Sequence, residues 1–242
     1  MNDQVTSDQT ADPKWKGLYK AGGWSALIIG AFFIIEMFAY IASSAPSLAD
    51  APGWLMLFQK NRLLGLLDFG ILEFYGLLLF VPMFLALSTA LKKASESYTA
   101  VAAILAFIGI AVNLATSKLF LLLSLSDLYT AATDTLRSQF LAAAQAALAQ
   151  SAQGGIGGGV EGGIPLAVAG LIISSVMLRS MVFGKGSAYV GILANGIGLV
   201  MYIGATASTS FGGSPFFGLF FLLSIIWFFL IARNLLQMSK AS

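Results

Sequence analysis

The chain has 242 residues, 58% hydrophobic and 10% charged, with a mean hydropathy of +0.86. A soluble fold carries roughly 25% charged residues and cannot hide this much apolar surface, so the composition points to a protein whose outer face is solvated by lipid. The absence of cysteine and histidine excludes disulfides, thiolate or imidazole metal sites, haem held by His or Cys and every nucleophile–histidine triad, and a formal charge of +2 is too small to suggest a nucleic-acid partner.

Residues 1–22 read as a polar cytoplasmic tail, with Asp3, Asp8 and Asp12 ahead of Lys14, Lys16 and Lys20. The apolar run at 23–43 exceeds the ~7–15 residues of a signal-peptide core, so an uncleaved first span is expected. Five further stretches of the ~20 residues needed to cross a bilayer follow, at about 62–88, 100–123, 164–183, 187–207 and 215–236. Backbone polar groups must be paired inside lipid, and the runs are too long and too uniform for barrel strands. The expected fold is therefore all-α, a transmembrane bundle of six helices in a single domain spanning 23–238. The connections SSAPSLADAPG, KKASES, FGKGS and STSFGGSP are polar or rich in turn formers.

The long connection, 124–163, is richer in information. SDLYTAATDTLRSQFLAAAQAALAQS carries strong helix formers, with Ser126 or Asp127 as N-cap. Leu136, Phe140, Ala143, Ala144 and Ala147 share a face. This predicts an amphipathic helix lying on the outer ends of the bundle, or partly inserted between them. The GGIGGGVEGG that follows has no Gly-Lys-Ser/Thr and is therefore not a phosphate loop; it reads as a flexible linker.

Orientation follows from the basic residues. With the N-terminus inside, the cytoplasmic segments hold Lys14, Lys16, Lys20, Lys92, Lys93, Arg179, Lys185, Arg233 and Lys240, against Lys60, Arg62 and Arg137 outside. That bias predicts both termini in the cytoplasm. Trp15, Trp24, Trp54 and Tyr129 fall where an aromatic belt would lie.

Ionisable residues inside spans are costly and mark candidate sites. Here they are Glu36 in span one, Asp68 and Glu73 in span two, and Lys118 in span three. The helix rise puts Glu36, Asp68 and Lys118 about 8–10 Å below the outer ends of their spans, with Glu73 and Asn113 about 7–8 Å deeper. Asp68 would then stand level with Lys118, and Glu73 with Asn113. Five residues turn a helix by about 140°, so Asp68 and Glu73 face different neighbours. Three carboxylates against one lysine leave two negative charges to be balanced by a proton or a cation. The plainer reading is an ion pair of Asp68 with Lys118 that reaches water by snorkelling. Asn195, midway along span five, is expected to hydrogen-bond a neighbouring helix, and Ala194 with Gly198 to allow close packing there. Ser174 and Ser175 are expected to bond back to their own helix.

The stretch VMLRSMVFGKGSAYVGILANGIGL (Val176–Leu199), with the later IIWFFLIARNL, resembles a prokaryotic membrane family catalogued as domain of unknown function 4386. The likeness extends more loosely over Trp24–Leu236. It implies a polytopic membrane protein of bacteria or archaea and supplies no catalytic residues.

Two functional readings follow. Either the acids, Asn113, Lys118 and Asn195 bind or carry a small molecule, lipid or ion, or they fix helix packing in a non-catalytic partner or regulatory subunit of another membrane protein. An intramembrane enzyme is the weakest reading, because Asp68 and Glu73 lack a Gly-x-Gly-Asp motif or a histidine to share acid–base work. No cofactor is indicated.

Overall fold

A computed structural model of the chain describes residues 13–42, 45–154, 159–207 and 215–240. Among them there are helices and no strands. Six helical segments are long and apolar enough to cross a membrane, the make-up of a multi-pass membrane protein.

A short 3-10 turn, Pro13–Trp15, leads into α1, Lys16–Ala42. This first helix starts within the expected polar tail, since no residue after Pro13 breaks the pattern. The second expected span is divided. Asp50 caps α2 (Ala51–Lys60) by accepting from Gly53 N–H at 2.9 Å, with Pro52 in the first turn. Asn61 then caps α3 (Arg62–Asp68), accepting from Leu64 N–H at 3.1 Å. Gly70, at φ 91°, turns the chain into α4, Ile71–Leu91. Only glycine adopts that backbone without strain, so the spanning helix begins at Ile71 and not at Arg62. The stretch ending in LADAPG, read as a loop, therefore ends in a helix start: Asp at the N-cap and Pro in the first turn are both start signals.

The third span, α5 (Glu96–Thr116), breaks at Ser117–Lys118 and continues as α6, Leu119–Ala131. A second break precedes α7, Asp134–Gly154. Then come α8 (Gly159–Met177), α9 (Lys185–Ala207) and α10 (Pro215–Lys240). The spanning helices α1, α4 and α8 are apolar on nearly every side, as expected where lipid replaces water.

The spanning helices form a closed ring. Each packs on its neighbours in the chain, α1–α4–α5–α8–α9–α10, and α10 returns to α1. Small residues let the helices close up: a Cβ at Gly22 would overlap Ala86 of α4, and one at Gly23 would meet Leu236 of α10 at 2.8 Å. Phe228 of α10 fixes this seam by lying against Phe33 of α1 and Phe80 of α4, with centroids 5.2 and 5.6 Å apart. Ala26, Ile29, Met83, Leu87, Ala106, Ile173 and Ile231 fill the interior.

The four remaining helices contribute a second core at one end of the ring. Trp54, Leu55 and Phe58 of α2, Phe69, Leu119 and Leu122 of α6, and Ala144 and Leu148 of α7 build this cap. Trp54 is therefore no belt anchor; it is buried, and its indole N–H donates to Ser47 O at 3.2 Å. Ser126 is not an N-cap either. It lies inside α6, donating to Leu55 O at 2.8 Å and accepting from Gln59 Nε2 at 2.9 Å. On α7 the buried face is Ala144, Ala147 and Leu148; Leu136 and Ala143, expected on it, are exposed.

Candidate functional site

The ends of α1, α5 and α9 and the starts of α4, α8 and α10 all lie at the cap end of the ring. Polar side chains collect inside that end. Glu36 stands six residues before the end of α1, about 9 Å from it. Glu73 is the third residue of α4, where backbone N–H groups have no carbonyl partner in their own helix. Gly70, at the N-cap, has no side chain to meet them. Glu36 takes that role from α1: its carboxyl faces the Glu73 N–H. The other Glu36 oxygen, Oε1, is buried and makes no hydrogen bond.

The Glu73 carboxyl is within electrostatic range of both Glu36 and the Tyr202 phenol. Tyr202 comes from α9, and its ring occupies the space that a Cβ at Gly163 of α8 would need. Two acids and a phenol, from three helices, thus share one region. Nothing in the sequence set Tyr202 apart from the other aromatics of the spans. The residue opposite it is Gly163, whose missing side chain makes room for the ring. Gly162 and Gly163 do not belong to a linker: they sit in the first turns of α8, and residues 155–158 of the glycine-rich stretch lie outside the described residues.

The other expected site residues are spread around this region. Asn113, on α5, is buried against Gly162, where a Cβ would overlap its amide, and its Oδ1 has no hydrogen-bond partner. Asp68 is the last residue of α3, and Lys118 occupies the break between α5 and α6. Asp68 therefore stands at the junction of ring and cap, outside the spanning helix that begins at Ile71, whereas Lys118 stands at a break within the long apolar segment Glu96–Ala131.

Asn195 does not donate to a neighbouring helix. Its Nδ2 bonds Gly191 O of its own helix at 2.8 Å, while its amide fills the space over Gly170 of α8. Ala194 and Gly198 behave as expected: Ala194 is buried, and a Cβ at Gly198 would press on Phe220 of α10 at 2.8 Å. Ser175 bonds back to Leu171 O at 2.8 Å, but Ser174 does not; its hydroxyl and the Trp227 indole N–H are both buried, unpartnered and directed at Gly191.

Among the described residues no three His, Cys, Asp or Glu side chains gather as a metal site. Chemically, the region offers carboxyl and phenol oxygens to a proton, a cation or a hydrogen-bonding ligand. Comparison with protein-family models, curated proteins and solved structures finds no match to this chain.

Proposed function

We propose that this chain is a multi-pass protein of a prokaryotic cell membrane, with both termini in the cytoplasm, that binds or transports a small molecule, lipid or ion in the outer half of its helix ring. One observation carries the reading. Glu36 reaches across to the open N-terminus of α4 at Glu73, with the Tyr202 phenol within electrostatic range of Glu73 and one Glu36 oxygen left without a partner. Packing alone does not call for two acids there, because ionisable groups at membrane depth are costly unless they serve a ligand or a proton path. Asp68 and Lys118, at the mouth of the same region, would stand on the route between it and the cap.

The test is native mass spectrometry of protein released from gently extracted membranes, run on wild type and on Glu36→Gln, Glu73→Gln and Tyr202→Phe variants. A discrete adduct kept by the wild type and lost by the Gln variants is expected. A folded wild type without adduct, or an adduct indifferent to all three changes, would overturn the reading in favour of a membrane partner or regulatory subunit.

A further inference from the structure

The cap carries few basic side chains, and they converge. Lys60 and Arg137 line a cavity of about 330 Å³, together with Tyr129, Thr130, Leu55 and Met56. Arg62 stands beside it, paired with Asp127 at 3.3 Å, and Arg137 has Asp134 at 3.6 Å. Lys60 makes no ion pair among the described residues. Three cations against two acids leave one positive charge, and it sits on Lys60. The cavity is two-natured: Leu55 lies buried at its base and Met56 is half-exposed at its edge.

The surface of helices α3 and α6 is unlike that of a water-soluble domain. Leu63, Leu64, Leu121 and Leu128 expose 67%, 40%, 48% and 49% of their surface. Apolar side chains beside cations and hydroxyls are the make-up of a surface held at the membrane interface.

We propose that this cavity seats the headgroup of an anionic phospholipid from the leaflet at the cap end. Lys60 and Arg137 would hold the phosphodiester, the Tyr129 hydroxyl would supply a further donor, and an acyl chain would run over Met56 onto the ring. The apolar edge favours a lipid over free phosphate, which would gain nothing from it. The net charge of one matches a single phosphodiester. This site is separate from the acids inside the ring and does not depend on their function.

The full chain in mild detergent is mixed with phosphatidylglycerol, phosphatidylcholine or inorganic phosphate and read by native mass spectrometry. Retained phosphatidylglycerol is expected, little affected by millimolar phosphate and in excess over phosphatidylcholine. A Lys60→Gln, Arg137→Gln double variant should weaken retention about ten-fold, from the ~1 kcal/mol that each interfacial cation contributes, discounted for the Asp134 pair. Lys92→Gln with Lys93→Gln, at the opposite end, should leave it unchanged. Equal weakening by both double variants, or none by the first, would overturn the proposal, and full displacement by inorganic phosphate would make the ligand a free anion. Should the first variant not fold, wild-type protein and photoreactive phosphatidylglycerol decide: crosslinks within 51–62 and 126–137 are expected, and crosslinks confined to other segments would refute the site.

Discussion

At Gly191 three helices meet in a space sized for a hydrogen atom. A Cβ there would overlap the Ser174 hydroxyl and the Trp227 indole, neither of which is a flexible chain end. Gly191→Ala should therefore separate α9 from α8 and α10, destabilising the protein by about 1–3 kcal/mol, as overpacking does. Ser174→Ala removes a buried hydroxyl that has no partner, so it should be neutral or slightly stabilising, within about 1 kcal/mol. Thermal unfolding of both variants in the same detergent checks the contrast; equal losses would mean that Ser174 carries a bond the geometry does not contain. The same positions mark what sequence reading can reach. That Gly198 and Ala194 serve packing was legible, because small residues four apart are a helix-contact pattern. That Gly162 and Gly163 serve it was not, because glycines at a helix start look like glycines in a linker, and only their facing residues, Asn113 and Tyr202, tell them apart.

The spanning helices were legible as elements because their apolar length is itself the signal, and the bilayer fixes that length. The cap was harder to read. Its helices α2 and α3 are short, and α2 is preceded by Asp50 and carries Pro52 in its first turn, residues that serve turns as well as helix starts. Its stability rests on contacts between elements distant in sequence, which local pattern does not report. Ser126 is the clearest case, linking α6 to α2 through two hydrogen bonds while fully buried. Ser126→Ala should leave Leu55 O and the Gln59 amide without that partner and cost about 1–3 kcal/mol. Arg62→Ala, which removes the exposed pair with Asp127 across the same two segments, should cost no more than about 1 kcal/mol. Limited proteolysis of the 43–70 segment provides the readout: faster cleavage is expected for Ser126→Ala, and faster cleavage for Arg62→Ala alone would reverse the assignment.

For the whole molecule, charge and topology make one argument. The ring closes because α10 returns to α1, and this brings Lys16, Lys20, Lys92, Lys93, Arg179, Lys185 and Lys240 to the end opposite the cap. Interhelical contacts at that end, Asn234 Nδ2 to Ser187 Oγ at 3.1 Å and Ser88 Oγ to Thr99 O at 3.2 Å, tie the basic turns into one face. Positively charged loops are retained in the cytoplasm during insertion, so the basic face should be cytoplasmic and the cap external. The chain contains no cysteine, which makes each introduced thiol unique. Asp134→Cys, at an exposed position on the cap, should react with a membrane-impermeant maleimide on intact cells. Lys93→Cys and Lys240→Cys should react only after the membrane is opened. The reverse pattern would turn the protein over and put the Glu36–Glu73–Tyr202 region in the cytoplasmic half, so that a ligand entering it would come from within the cell; labelling of all three from one side would mean an even number of crossings between residues 93 and 134, so that the third span does not cross and the ring does not close as described.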